Sequence, residues 1–472
     1  MSAATSTPTD ALTPERHDGA GGLPPGPRLP RVVQMLAFAL SAPRFLNACQ
    51  RRYGTAVTLR TPFDSGFVMV FDPTLVKEVF QGRPEQLHAG EANRLLGPIL
   101  GERSVLLLDR GEHLRHRRLM LPPFHGRRMQ AYAQTMREAA DIEIDSWPVG
   151  EQFALMPSMQ TLTLRVIVRA VFGYESGPEE QELRRRLREM IMPAARARGL
   201  FLIAAPMRLR RRSALVEQFE AAKRAVDELL YAEIARRRQD PQLELRDDVF
   251  SALLLAEDEH GERLSNREVR DELVTLLVAG HETTATGLAW TFDLLLHAPD
   301  VLARCDSGDV TYLDAVVKEA LRIRPVIPAV GRVVRDQPFH LGGWTIPVGM
   351  EINPSIRTIH RRADLYPEPE AFRPERYLGE DAPDTYTWLP FGGGTRRCLG
   401  ASFAQMEMRI VLERVLERAR LRAADPSREK IEFRGITLAP RNEVQVVLED
   451  RPAPATDPPA QAIDPPSPVA QV

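Results

Sequence analysis

Cysteine is scarce in this chain of 472 residues: Cys49, Cys305 and Cys398 are the only three, far apart and without a CxxC pair. That excludes a disulfide scaffold and a zinc ribbon and fits a reducing, cytoplasmic setting. A surplus of one charge is also lacking, since 62 Lys and Arg face 64 Asp and Glu for a net charge of −2. Proteins built to hold polyanions carry a basic excess, so nucleic acid is not an expected partner. The longest early apolar run, Val32 to Ala42, is interrupted by Gln34 and bounded by Arg31 and Arg44. It falls short of the roughly 20 residues a membrane span needs and starts too late for a secretory signal. The expectation is a chain without a membrane anchor. Hydrolase, phosphoryl-transfer and nicotinamide-binding signatures are absent too: no G-x-S-x-G turn, no GxxxxGK[ST] loop and no GxGxxG fingerprint occurs. His281-Glu282 opens like the zinc motif HExxH, but Ala285 stands where the second histidine is required.

Hydrophobic residues make up 43% and charged residues 27%, enough for a large core under a soluble surface. Residues 1–22 and 451–472 are rich in Ala, Pro, Thr and Gly without apolar periodicity and are expected to be disordered. The prolines of Leu23 to Pro30 forbid a helix and mark entry into the fold. With no linker or repeat between the ends, Leu23 to Asp450 is expected to form one large domain. Helical spacing of apolar residues runs through Glu179–Met192, Ala214–Arg238, Asn266–His297, Val310–Arg322 and Ala401–Ala419. Short β-branched stretches at Ala56–Leu59, Val68–Phe71, Gly331–Val334, Met350–Asn353 and Val444–Leu448 predict strands. The fold class is mainly α with small β-sheets.

The segment Pro390 to Gly400, PFGGGTRRCLG, leads directly into a helical pattern. Three consecutive glycines permit a tight backbone path close to a flat ligand. Arg396, Arg397 and a helix start would stabilise a thiolate at Cys398. A lone cysteine beside a helix is ordinarily a buried apolar residue, but this flanking pattern reverses that reading. Within the Asn266 helix, Ala279-Gly280-His281-Glu282-Thr283-Thr284 places about 1 kcal/mol of glycine penalty beside a carboxylate and a hydroxyl. The penalty implies a use: room against the backbone and groups that can relay protons. Glu319 and Arg322 share a helix face at i, i+3, ordinarily a surface pair. His113 and Arg117, at i, i+4, can address one anion together.

These motifs resemble the cytochrome P450 family, whose cysteine loop reads Phe-x-x-Gly-x-Arg-x-Cys-x-Gly; Phe391, Gly394, Arg396, Cys398 and Gly400 stand in register. The resemblance implies that Cys398 is the axial thiolate on haem iron, with Phe391 near its sulfur. It gives Arg396, His113, Arg117 and Arg332 contacts to the haem propionates. It implies that Gly280 opens an oxygen groove while Glu282 and Thr283 form an acid and alcohol pair. Glu319, Arg322 and Arg376, the last within Phe372 to Tyr377, would form a buried structural network. The cofactor implied is haem b, iron protoporphyrin IX, with O2 as co-substrate.

The reaction implied is insertion of one oxygen atom of O2 into a substrate, by C–H hydroxylation or epoxidation. Leu399 to Val472 is too short for a fused flavin reductase, so a ferredoxin or flavodoxin with an NAD(P)H-dependent reductase is the expected electron source for a bacterial-type, monomeric member. Arg115, Arg118, Arg127 and Arg128 are expected to attract that acidic partner. By resemblance, Leu95, Leu96, Ile99 and Leu100 lie over the distal haem face, with Val278 and Ala279 beside them. Val326, Ile327 and Val330, and then Ile436 to Leu438, complete that lining. Their apolar character predicts a small lipophilic substrate such as a fatty acid, terpenoid or polyketide, as in secondary metabolism; several could instead pack the core. Two rival readings remain, a peroxide-using or rearranging haem-thiolate enzyme and a non-enzymatic haem sensor.

Overall fold

The computed structural model describes residues 21–452 except 63–65, 125, 127, 175–176, 196–198, 205–212 and 381. The helices that frame the site are α1 (Arg31–Tyr53), α2 (Pro73–Gln81), α3 (Arg110–Met120), α4 (Arg128–Asp145) and α5 (Leu155–Phe172). They continue with α6 (Pro178–Ala195), α7 (Ala214–Arg238), α8 (Asn266–Leu296), α9 (Val310–Ile323) and α10 (Ala401–Arg418). The first sheet holds β1 (Ala56–Leu59), β2 (Phe67–Val70) and β3 (Leu87–His88). The chain then adds β4 (Gln152–Ala154), β5 (Arg332–Val334), β6 (Phe339–Leu341), β7 (Trp344–Ile346) and β8 (Glu351–Pro354). Last come β9 (Arg420–Ala423), β10 (Ile431–Arg434), β11 (Thr437–Pro440) and β12 (Gln445–Asp450). The main sheet runs β1-β2-β8-β5-β3, with β4-β12-β9 and the hairpins β6-β7 and β10-β11 apart from it. In the main sheet β2 pairs parallel with β8, Phe67 opposite Glu351, and the other pairings are antiparallel. The mainly helical architecture with small sheets is the one expected.

The centre of the helical layer is α8, packed against α5, α9, α10 and β11. Its start is fixed by a capping box: Glu268 N donates to Ser265 Oγ at 3.3 Å and Ser265 N donates to Glu268 Oε2 at 2.7 Å. Near its other end Trp290 Nε1 donates to Leu438 O at 2.8 Å, tying β11 to the helix. Helix α5, like α1, α2 and α4, has no counterpart among the sequence expectations, and it forms although Thr161 to Phe172 is rich in β-branched residues. Burial decides the matter. Leu162, Val166, Ile167, Val168 and Phe172 are all buried, each contributing about 1.5–3 kcal/mol, against helix-propensity penalties of at most about 0.7 kcal/mol.

The apolar run at Val32 extends further than its uninterrupted length suggests. It belongs to α1, 23 residues long with a kink at Ser41, the one helix among the described residues long and apolar enough to cross a membrane. Its C-terminal half packs Leu46 and Cys49 against Val57, Leu59 and Phe71, while Val32, Val33, Leu36 and Leu40 are exposed. Gly22 and Arg451, expected within the tails, are bonded to the domain. Thr345 N donates to Gly22 O at 3.1 Å, and Arg451 Nη2 donates to Trp147 O at 2.7 Å. Residues 1–20 and 453–472 lie outside the described part.

Candidate active site

The cysteine loop is a chain of tight turns. Gly392 N donates to Leu389 O at 2.9 Å, Arg397 N to Gly394 O at 3.0 Å and Cys398 N to Phe391 O at 3.0 Å. Gly392 and Gly394 adopt φ of 66° and 63°, conformations that favour glycine. A Cβ on Gly394 would sit 2.1 Å from Phe80 O, and one on Gly393 2.3 Å from the Phe80 ring. These two glycines therefore admit α2 rather than only a flat ligand, and Phe80 was not visible as a partner in the sequence. Cys398 keeps exposed area although protein surrounds it on every side, as expected of a side chain facing an internal recess. Burial pushes its thiol pKa up, against the Gly400 amide and the charges of Arg117 and Arg397. Arg397 and the Gly400 amide favour the thiolate, as expected, but burial outweighs them; a bound metal would deprotonate the thiol.

His113 and Arg117 lie on α3 and Arg332 opens β5; all three side chains are largely buried. His113 is 2% exposed, its Nδ1 has no hydrogen-bond partner, and burial with the charges of Arg396, Arg117 and Arg332 lowers its pKa to about 3. Arg117 Nη1 donates to Arg397 O at 2.7 Å, and Arg332 Nη1 to Gly331 O at 2.8 Å. Burial lowers the Arg332 pKa to about 10. Arg396, whose charge also acts on His113 and Arg332, donates from Nη2 to Asp109 Oδ1 and to Leu108 O, both at 2.6 Å. Asp109 also accepts from Gly90 N at 2.8 Å and Glu91 N at 3.0 Å, fastening the cysteine loop to the segment before α3. Asp109 is not among the sequence expectations, although an aspartate just before a helical pattern is a recognisable signal. Arg117 and Arg332 remain as buried cations beside the neutral His113 ring with its orphaned nitrogen, and such a group calls for an anion.

Partly exposed residues interrupt the burial of α8. Leu276, Val278, Ala279, Gly280, Glu282 and Thr283 keep partial exposure, while Leu277, His281 and Thr284 among them are buried. Thr283 Oγ1 donates to Ala279 O at 2.6 Å. Glu282 Oε2 accepts from Gln160 Nε2 of α5 at 2.9 Å, and burial pushes the Glu282 carboxyl up to about 7. A Cβ on Gly280 would meet Ile167 Cδ1 of α5 at 3.1 Å. The missing side chain admits α5 to close approach.

The network expected from Glu319, Arg322 and Arg376 is present and larger. Arg322 Nε donates to Glu319 Oε2 at 2.6 Å and Nη2 to Oε1 at 2.8 Å, with both side chains 0% exposed. Arg376 Nε donates to Glu319 Oε1 at 3.2 Å. Arg322 Nη1 also donates to His360 O at 2.7 Å. Leu389 N donates to His360 Nε2 at 2.8 Å, so the proton sits on Nδ1, which faces Arg322 O at 3.1 Å. His360, absent from the sequence reading, thereby links α9 to the start of the cysteine loop.

The apolar residues assigned by resemblance divide. Leu95, Leu96, Val278, Ala279 and Ile327 are half-buried. Ile99, Leu100, Val326 and Leu438 are core residues, at 5%, 2%, 7% and 1% exposure, and Val330 packs on the sheet cluster. Ile436 is exposed on the β10-β11 hairpin. The basic patch also changes. Arg115 Nε binds Asp258 Oδ2 at 2.5 Å and Arg118 Nη1 binds Glu259 Oε2 at 2.9 Å, so both charges are already paired. Arg128 is half-buried, and Arg127 lies outside the described residues.

A cysteine loop of tight turns, a partly exposed stretch of α8 with an acid and an alcohol, and buried cations define a haem-thiolate protein. The chain belongs to the cytochrome P450 family, whose model, described as Cytochrome P450, matches residues 23–446. It is 42% identical over 437 residues to the proteins designated cytochrome P450 135B1 of Mycobacterium bovis and Mycobacterium tuberculosis, covering 90% of this chain and 91% of theirs. Cytochrome P450 135A1 of Mycobacterium tuberculosis is 39% identical over 89% of this chain and 94% of its own length. The solved structure titled cytochrome P450DA heme domain shares the fold with a TM-score of 0.78 and 24% identity, covering 93% of this chain and 99% of that one. Retinoic acid bound cyanobacterial CYP120A1 gives 0.77 and 23%, covering 91% and 99%.

The chain is therefore a cytochrome P450 monooxygenase, an oxidoreductase of haem iron and O2, in a family that generally takes electrons from redox partners. The residues present fit haem. Cys398 offers a sulfur in an enclosed recess, and the unpartnered His113 Nδ1 beside Arg117 and Arg332 suits carboxylates.

Proposed function

We propose that the protein binds haem b and inserts one oxygen atom of O2 into a small lipophilic substrate, by C–H hydroxylation or epoxidation. The observation that carries this reading is the pairing of Glu282 and Thr283 on the partly exposed stretch of α8. Peroxide-driven enzymes and sensors have no need of a proton donor there. Bound haem would supply the chemistry that reduces O2 and oxidises the substrate. Cys398 would hold the iron, His113, Arg117 and Arg332 would orient the propionates, and Arg396 would act through Asp109 to hold the loop. Glu282, with a carboxyl near neutrality, can give and regain a proton at working pH, and the Thr283 hydroxyl can pass it on. Leu95, Leu96, Val278 and Ala279 offer apolar surface to a substrate. Gly280 serves the site by letting α5 approach. Glu319, Arg322 and Arg376 hold the fold.

A monomeric, cytoplasmic enzyme of secondary metabolism, served by a ferredoxin or flavodoxin and its NAD(P)H-dependent reductase, completes the proposal. The test is turnover of haem-loaded protein with NADPH, ferredoxin and reductase under labelled O2, after spectral titration with fatty acids, terpenoids and polyketides. A shifted ligand should yield product carrying one labelled oxygen atom. Product formed only with added peroxide, or no O2 consumption with any shifting ligand, would overturn the reading.

A further inference from the structure

The antiparallel approach of α5 and α8 brings three pairs together: Gln160 with Glu282, Thr163 with His281, and Ile167 with Gly280. The last pair packs the helices closely, a Cβ at Gly280 meeting Ile167 Cδ1 at 3.1 Å. At that spacing Gln160 Nε2 reaches Glu282 Oε2 at 2.9 Å, while Glu282 Oε1 is buried and unpartnered. Few charges face this carboxyl. His281 Nε2 lies 3.9 Å from Oε2, but burial, with the charge of Arg188, lowers its pKa to about 3 and keeps the ring neutral. Arg434 of β10 and Glu443 before β12 act on Glu282 with opposite signs and are paired with each other at 3.1 Å. Helix α5 contributes one amide donor.

We propose that Gln160 is a positioning residue for Glu282: its amide fixes one carboxyl oxygen and favours the ionised form, leaving the other oxygen to take up and release the proton. The inference rests on the reading of Glu282 as proton donor. Burial and hydrogen bonding oppose each other at this group. Burial is the larger effect and brings the carboxyl to about 7. Without the Gln160 donor the acid would stay protonated to higher pH and lose its fixed orientation.

The protonated carboxyl can be followed by its infrared C=O stretch in the resting holoenzyme across pH, with Glu282→Gln identifying the band. Gln160→Leu should raise the midpoint by about one pH unit, and Gln160→Lys, which brings a cation, should lower it by about one or more. The pH profile of product formed per NADPH should move in the same two directions. The opposite signs separate the effect from loss of fold, and the lysine variant keeps the test open if the leucine variant does not fold. A midpoint unmoved by both variants would overturn the proposal. Midpoints that move while the Glu282→Gln variant keeps full coupling would sustain the positioning role and refute the proton-donor reading.

Discussion

Glu319→Ala is expected to destabilise the protein by about 3–5 kcal/mol and to abolish stable haem loading. The size follows from burial. A surface pair at i, i+3 is worth at most about 1 kcal/mol, but Glu319 and Arg322 are both 0% exposed. Removing the carboxylate strands the Arg322 guanidinium in the interior and takes a partner from Arg376 and the Arg373 amide as well. The remaining acceptors of Arg322, the carbonyls of His360 and Ala371, are neutral. Because His360 also holds Leu389, the damage should reach the cysteine loop. Denaturant unfolding of the variant, with haem content measured alongside, checks both expectations. A loss below about 1 kcal/mol with full haem content would show that the network is no more than a surface pair.

Thr283→Ala is expected to leave folding and haem binding intact while product formed per electron falls by about tenfold or more and peroxide accumulates. The fold should be spared because the hydroxyl is bonded within its own helix, to Ala279 O, and alanine is the better helix former. General acid-base groups supply about a hundredfold to ten-thousandfold in rate, which sets the scale of the coupling loss. NADPH consumption, product and peroxide are measured together. Unchanged coupling would remove Thr283 from proton delivery.

Much of this architecture was legible in the sequence because its signals are local. Ala214–Arg238 is read from apolar spacing to the residue, and Asn266–His297 to within one residue of its end. The strand Ala56–Leu59 follows from its β-branched and apolar content. Local signals carry less where packing overrides them. In α5 the β-branched residues favour strand, and only their burial against α8 makes a helix of them. At α1 a polar Gln34 interrupts the apolar run, but it is buried and donates to Pro27 O at 3.0 Å and Leu29 O at 2.8 Å, so the helix continues through it.

The site divides in the same way. The cysteine, the ExxR pair and the acid and alcohol could be identified because their spacing along the chain reflects their chemistry. Their long-range partners could not. Asp109, which neutralises Arg396, and Gln160, which holds Glu282, come from segments remote in sequence, and the contact exists only after folding. Gly280 also packs against a residue remote in sequence, since a Cβ there would meet Ile167 at 3.1 Å. Arg115 and Arg118 looked free for a partner because Asp258 and Glu259 lie far along the chain.

Everything in this account depends on the Cys398 sulfur binding haem iron as a thiolate. The most direct measurement is the ferrous carbonyl spectrum of haem-loaded protein, wild type beside Cys398→Ser. The wild type should show the red-shifted band of a thiolate ligand, and the serine variant should lose it while the polypeptide remains folded. An identical spectrum in the two proteins, or a wild type that takes up no haem when precursor is abundant, would contradict it.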